Sequence, residues 1–269
     1  MAGAGVITLV DDTAIAFDDI GSGLPVVFLH AFPLNRTMWE PQIGALVAEC
    51  RCIPIDFRGF GDSRLAPPFT VDRYADDVAA VLDTLQIERA VVVGLSLGGY
   101  VAFALWRRHR DRIRGLVFSD TRASADSEEV VARRRALIDT ARTQGATAVA
   151  NAQIAGLMGK STRDKRPDIY DAMHRMMAQT NVDAIVGGLE AMISRPDSTP
   201  TLSTIDMPTL IVVGDEDVIT PQKEARKIHD GIPGSRLEVL KGAGHLSNVE
   251  RPAAFNTVVS EFLGTLLYN

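Results

Sequence analysis

Ala90-Val91-Val92-Val93-Gly94-Leu95-Ser96-Leu97-Gly98-Gly99-Tyr100 is the stretch of chain that decides the fold. A run of valines favours an extended strand, and the apolar residues after Gly98-Gly99 suit a buried helix. Between the two stands a serine with a glycine two positions to either side. The pattern reads as strand, tight turn and helix, with one hydroxyl at the tip. A membrane span is the competing reading, because residues 90–106 carry no charge and approach the length that a bilayer requires. Three glycines and a serine break that stretch in its middle, so strand–turn–helix prevails. A dinucleotide-binding loop uses a similar turn, but its Gly-x-Gly-x-x-Gly spacing is absent here.

Outward from this turn, short β-branched runs alternate with longer helical patterns, as in a parallel sheet flanked by helices. Strands are expected at 6–10, 15–18, 26–29, 51–55, 90–93, 113–119, 209–213 and 237–240, with Asp11-Asp12 turning the first pair as a hairpin. A one-sided apolar stripe predicts a helix over 71–85. Another is expected over 97–110, where Arg107, Arg108 and Arg110 suit the negative end of a helix dipole. Pro221 and Pro252 fit first-turn positions, where a missing N–H costs nothing. Between 121 and 198 the rhythm changes to helical patterns alone, at 128–144, 147–158, 168–179 and 182–194. The expected organisation is an α/β core from residues 1–120 and 199–269, with 121–198 as a helical cap. Met158, Met173, Met176, Met177 and Met192 fall in the cap, where they suit either an adaptable pocket wall or packing between helices.

The 269 residues carry 28 Lys+Arg against 34 Asp+Glu, a formal charge of −6. A nucleic-acid binder usually presents a basic face, so this balance argues against one. The clusters at Arg107–Arg114 and Arg133–Arg135 are expected to pair with carboxylates. Cys50 and Cys52 are too few for a disulfide framework or a four-ligand zinc site, and read as buried thiols. The opening Met-Ala-Gly-Ala-Gly-Val-Ile-Thr lacks the basic and apolar regions of a signal peptide, which makes a cytoplasmic location the expectation.

A serine hydroxyl attacks carbonyls only when a base removes its proton. Of the five histidines, His245 sits in a glycine-rich loop, Gly242-Ala243-Gly244-His245-Leu246, between the last strand and the helix begun by Pro252. His109, His174 and His229 fall in helical patterns, and His30 ends a strand. His245 is therefore the candidate base. A carboxylate must then hold the imidazole and stabilise its charged form. Asp217, in the turn Gly214-Asp215-Glu216-Asp217, is the candidate, with Asp120 and Asp215 as alternatives. Two N–H donors are needed for a developing oxyanion. Leu97 N–H follows the serine, and Phe32 N–H comes from the loop His30-Ala31-Phe32-Pro33, which could equally be a plain strand-to-helix connection. The chain order Ser96, Asp217, His245 differs from that of the chymotrypsin and subtilisin folds.

These residues resemble the α/β-hydrolase superfamily over the whole chain. Phe28-Leu29-His30-Ala31-Phe32-Pro33 is similar to its oxyanion segment, with Ala31 where the family often has glycine. Asp56-Phe57-Arg58-Gly59-Phe60-Gly61-Asp62-Ser63 resembles a loop that in the family is structural and lines the pocket mouth. The aspartate three residues past Gly214 matches the family's catalytic acid. Gly94–Gly99 and Gly244–Glu250 also resemble 3-oxoadipate enol-lactonases and small carboxylesterases alike. A serine at 96 argues against haloalkane dehalogenases and most epoxide hydrolases, which use aspartate there.

The resemblance implies a carboxylic ester hydrolase that acts on small esters or lactones through an acyl-enzyme on Ser96. It implies no metal or organic cofactor, and a small-molecule partner in place of a membrane or nucleic acid. An enol-lactonase, a perhydrolase side activity and a slow-turnover ligand receptor are its alternatives. The enol-lactonase reading calls for a positive group to hold a substrate carboxylate, for which Arg133–Arg135 are candidates.

Overall fold

The computed structural model of the chain describes residues 4–8 and 13–267. The chain order opens with strands β1 (Ala4–Thr8), β2 (Ala14–Asp18), β3 (Ile20–Gly21) and β4 (Leu24–Leu29), then helix α1 (Glu40–Leu46) and β5 (Cys50–Ile55). Helix α2 (Val71–Thr84), β6 (Ala90–Leu95), α3 (Leu97–His109) and β7 (Ile113–Ser119) follow. Five helices come next: α4 (Glu128–Gln144), α5 (Ala146–Leu157), α6 (Lys160–Lys165), α7 (Pro167–Ala178) and α8 (Val182–Ser194). The chain ends with β8 (Thr209–Gly214), α9 (Gln222–Gly231), β9 (Arg236–Leu240), α10 (Ser247–Glu250) and α11 (Pro252–Leu267).

Eight strands form one sheet in the order β1-β2-β5-β4-β6-β7-β8-β9, and the two-residue β3 pairs with β5. From β5 to β9 every pairing is parallel, while β1, β2 and β3 pair antiparallel. The sheet is the expected one, with β3 added. The Asp11-Asp12 turn lies outside the described residues. Pro252 begins α11, whereas Pro221 stands one residue before α9, as its N-cap.

The sheet is buried on both faces, so its central strands are apolar throughout and not alternating. Every residue of β6 is buried. Side chains leave a strand to opposite faces in turn. Val27, Leu29 and Val92 accordingly pack on one face with α2 and α3, while Val26, Phe28, Val91 and Val93 meet α11 on the other. Cys50 and Cys52 both belong to that second face and are free thiols. Burial pushes the Cys52 thiol up to about 12, which leaves it inert at neutral pH. Helix α2 starts where the Thr70 hydroxyl accepts the Arg73 N–H, a standard N-cap. Arg107, Arg108 and Arg112 pair with Asp72, Asp76 and Asp83, so that part of the basic cluster ties α3 and the turn after it to α2. Among the described residues, no helix is long and apolar enough to cross a membrane.

The loop after β5 is held by charges. Arg36 binds Asp56 through its backbone N–H and its guanidinium, and the Asp62 N–H donates to the same carboxylate. Arg58 makes two 2.7 Å hydrogen bonds to Asp77 of α2, both side chains being buried. Removing one partner of such a pair leaves a charge stranded in the interior. Asp77→Ala is therefore expected to lower stability by about 3 kcal/mol, read as a fall in the urea midpoint at constant m-value. A shift below about 0.5 kcal/mol would mean that water reaches Arg58 once the carboxylate is gone.

Candidate active site

The carboxyl ends of β4, β6, β7 and β8 converge on one cavity of about 320 Å³, where ligands gather in parallel α/β sheets. Ser96, His245, Phe32 and Tyr100 form its floor, and residues from α4, α5 and α8 cover it. A larger depression of about 710 Å³ lies at the amino ends of the strands, beside Pro25 and Arg114, away from Ser96.

Ser96 occupies the turn between β6 and α3 at φ +54°, ψ −108°. That conformation costs a non-glycine residue about 1–3 kcal/mol and persists only where the surroundings impose it. Here the Ser96 N–H donates to the Ser119 carbonyl, and the Ser96 carbonyl accepts from the Thr121 hydroxyl and the Gly99 N–H. The flanking glycines are steric necessities. A Cβ on Gly94 would fall on the Gly98 carbonyl, and one on Gly98 would fall on the Leu29 carbonyl of β4.

The structure brings Ser96, His245 and Asp217 into one hydrogen-bonded chain. Ser96 Oγ lies 2.8 Å from His245 Nε2, and His245 Nδ1 lies 2.9 Å from Asp217 Oδ2. A carboxylate only accepts, so the imidazole proton sits on Nδ1 and the Nε2 lone pair faces the serine hydroxyl. The other Asp217 oxygen accepts the N–H groups of Ile219 and Thr220 at 2.8 and 2.9 Å, and the Thr220 hydroxyl donates to Oδ2 at 2.6 Å. Burial opposes the charge on Asp217, but His245 and these donors outweigh it and hold the carboxyl below its usual range. Burial likewise disfavours an imidazolium at His245, yet the charge and hydrogen bond of Asp217 raise its pKa above the ordinary value.

The alternative acids stand elsewhere. Asp120, in a left-handed conformation after β7, spends its carboxylate on Ser119, Ser247 and the Gly214 N–H. Burial first, then the charge of Asp217, pushes its pKa up. Asp215 receives the Gly242 N–H at the exposed end of the turn. Neither makes a hydrogen bond to the His245 ring among the described residues.

The backbone N–H groups of Phe32 and Leu97 donate to no group among the described residues. Ala31 is buried without a positive φ, so its methyl group sits there unstrained. His30 fixes that loop: the Phe57 N–H donates to its Nε2, which places the proton on Nδ1, where it donates to the Ala31 carbonyl. Burial lowers the His30 pKa, keeping the ring neutral. His109 meets Asp76, His174 meets Asn151 and His229 meets Ser235, all remote from Ser96.

Several residues at the site have no local motif. Glu250, 1% exposed, accepts N–H groups from Gly244 and Leu246 on either side of His245 and from Gly159 between α5 and α6. The His245 N–H donates to the Leu157 carbonyl, and Glu216 accepts from Ser161. The loop that carries the imidazole is thus tied to the helical insertion. An acid five residues beyond His245 was the available signal. No residue of 56–63 lines the cavity, so that loop acts on the site from behind, Phe60 meeting the Phe32 ring and the Phe57 N–H holding His30. Met158, Met173 and Met177 pack between helices and Met192 lines the cavity. Of the three consecutive arginines, Arg133 and Arg134 line it, while Arg135 faces a separate groove.

A family profile described as alpha/beta hydrolase fold matches residues 25–252. The 3-oxoadipate enol-lactonase 2 of Acinetobacter baylyi is 30% identical over 235 residues, which is 87% of this chain and 86% of that protein. Among solved structures, a malate-bound thermophilic esterase from Thermogutta terrifontis superposes with a TM-score of 0.94 at 37% identity, covering 98% of this chain and 99% of the other. A bromoperoxidase from Bacillus anthracis superposes at 0.88 with 25% identity, covering 97% and 100%.

Proposed function

The chain belongs to the alpha/beta hydrolase fold family, and we propose that within it the protein is a serine hydrolase of small carboxylic esters or lactones. The observation that carries this reading is the unbroken chain from Ser96 Oγ through His245 to Asp217 at 2.8 and 2.9 Å. In this reading Ser96 Oγ attacks the substrate carbonyl carbon while His245 Nε2 takes the hydroxyl proton. Negative charge grows on the carbonyl oxygen, where the unpaired N–H groups of Leu97 and Phe32 receive it. Removing one such donor costs about 10²–10³ in kcat in comparable sites. Collapse of the tetrahedral intermediate breaks the bond to the alkoxy oxygen, which takes the proton from Nε2. Water then attacks the acyl-enzyme with His245 as base, and the acid product leaves. A lactone follows the same steps, its leaving oxygen remaining tethered to the acyl group. The likeness to an enol-lactonase supports this second reading. Residues 121–198 act as the cap that encloses the substrate.

The base works only when neutral. Because Asp217 outweighs burial and raises the His245 pKa, kcat/KM should fall with decreasing pH through a midpoint above the ordinary histidine value of about 6.5. A midpoint below about 6 would contradict this coupling. The reading itself is tested by p-nitrophenol release from p-nitrophenyl butyrate, followed through many equivalents per site. Sustained release that is lost in Ser96→Ala supports a hydrolase. A stoichiometric burst that stalls would point to a slow-turnover receptor instead.

A further inference from the structure

One corner of the helical insertion is bound to both loops that carry the base and the acid. It joins α5 to α6 and runs from Leu157 to Ser161. The Leu157 carbonyl accepts the His245 N–H at 3.0 Å. Glu250 reaches the corner with one carboxylate oxygen, which accepts the Gly159 N–H at 2.9 Å, while its other oxygen accepts the N–H groups of Gly244 and Leu246. Glu216, beside Asp217 in the acid turn, accepts the Ser161 hydroxyl at 2.5 Å and the Ser161 N–H at 2.8 Å. Those two bonds hold its carboxyl below the usual range. The two loops are joined in turn by the Glu216 N–H, which donates to the Ala243 carbonyl at 2.8 Å. Backbone meets backbone at this corner. A Cβ on Gly159 would stand 2.7 Å from both Glu216 Oε2 and the Gly244 nitrogen, and one on Gly244 would fall on the Gly159 nitrogen. Leu157 also lines the cavity, so one residue both faces the substrate space and fixes the backbone of the base.

We propose that Glu250 and Glu216 are positioning residues that make the placement of the His245 imidazole depend on this corner of the cap. The proposal rests on the serine-hydrolase reading and gives the cap a part in it beyond enclosing the substrate. The base loop offers three successive N–H groups, at Gly244, His245 and Leu246, and among the described residues their partners are Glu250 and Leu157 alone. A carboxylate holds N–H groups more firmly than a neutral acceptor does. Glu250 is buried and divides its two oxygens between the base loop and the cap. A corner that moves away leaves one of those oxygens unpaired in the interior, which is a costly state. The imidazole therefore keeps its 2.8 Å contact with Ser96 Oγ only while the corner is docked. A displacement of about 1 Å at a reacting group can cost about 100-fold in rate, so the corner acts on kcat as well as on the shape of the cavity.

The test measures rates per active site in the full chain, with sites counted by fluorophosphonate titration. Gly159→Ala wedges the corner away from the two loops, changes no charge and adds nothing to the cavity, which Gly159 does not line. Glu250→Gln severs the cap alone. Its carbonyl oxygen serves the N–H groups of Gly244 and Leu246, which turns its NH₂ against the Gly159 N–H, donor facing donor. Each variant should lower kcat for p-nitrophenyl butyrate about 10- to 100-fold and slow phosphonylation of Ser96 by the same factor, since both reactions need the same base. Gly156→Ala, in α5 with open space around the added methyl group, should match the wild type. If Gly159→Ala does not fold, Glu250→Gln decides alone. A kcat per site within about twofold of wild type in either folded variant overturns the proposal, even where the urea midpoint falls, and leaves the hydrolase reading standing. If the wild type turns over no ester and takes up no label, that reading fails, and titration of the His245 ring by NMR decides the proposal. The charges facing this ring are those of Asp217, Asp120 and Arg122, all kept in Gly159→Ala and in Ser161→Ala, which stands in for it if needed. A midpoint lower than in the wild type supports the proposal, because a displaced ring loses the Asp217 charge that raises its pKa. An unchanged midpoint overturns it.

Discussion

Ser96→Ala is expected to lower kcat for p-nitrophenyl butyrate by about 10⁶-fold, the scale seen when a serine nucleophile is removed from a working triad. The reason lies in the turn. At φ +54° the serine is held above the end of β6 with its hydroxyl 2.8 Å from the His245 base, and no second hydroxyl reaches Nε2 among the described residues. The variant should fold as the wild type does, because the hydrogen bonds that fix the turn run through the backbone of residue 96 and survive the loss of Oγ. Residual activity should come from the Phe32 and Leu97 donors acting on a bound ester. A loss of less than about 100-fold would mean that the ester is cleaved by general-base attack of water, without an acyl-enzyme.

Asp217→Asn should lower kcat by about 10⁴-fold with little change in KM, for a reason that the hydrogen bonds define. Oδ1 of Asp217 accepts two backbone N–H groups, from Ile219 and Thr220. An asparagine must therefore place its carbonyl there and turn its NH₂ toward His245. An NH₂ group only donates, so Nδ1 must accept and the imidazole proton moves to Nε2, where it can no longer receive the serine proton. The acid limb of the pH profile should also move down, since burial, the largest influence on the His245 pKa, lowers it and is then no longer offset by Asp217. Asp120→Asn provides the contrast. Its carboxylate contacts Ser119, Ser247 and Gly214 and not the ring, so its loss should cost less than Asp217→Asn by about 100-fold. The reverse order would transfer the role of acid to Asp120.

The strand–turn–helix around Ser96 was legible because its steric demands are local: two glycines and a small hydroxyl fit where larger side chains would meet the Gly98 and Leu29 carbonyls. The parallel strands were legible because both faces of the sheet are covered, which writes them as uninterrupted apolar runs. Ile20–Gly21 was not, since two residues carry no period. Helix α6 was missed for a similar reason: Lys-Ser-Thr-Arg-Asp-Lys has no apolar face, and only its Thr162 is buried. His245 was separable from His30 by its glycine-rich loop, but Asp217 and Asp215 are two residues apart, and a sequence does not say which way a turn aims each carboxylate. The partners that hold the site lie far apart in the chain. Glu250 reaches Gly159, Arg36 reaches Asp56, and Arg122 reaches Ile219. Each looks like an ordinary surface charge until the sheet brings its partner near. The same holds for Arg133 and Arg135, whose identical chemistry is divided between two grooves by their positions around α4.

The role of Ser96 is tested most directly by mapping the covalent adduct formed by a fluorophosphonate ester, a reagent that phosphonylates activated serines. Intact mass should rise by one phosphonyl group per chain, the labelled peptide should carry it on Ser96, and esterase activity should disappear in step with labelling. Labelling should fail in His245→Ala, because an unactivated hydroxyl does not react. A fully active protein that takes up no label, or that carries it on a residue other than Ser96, would contradict the assignment of Ser96 as the nucleophile.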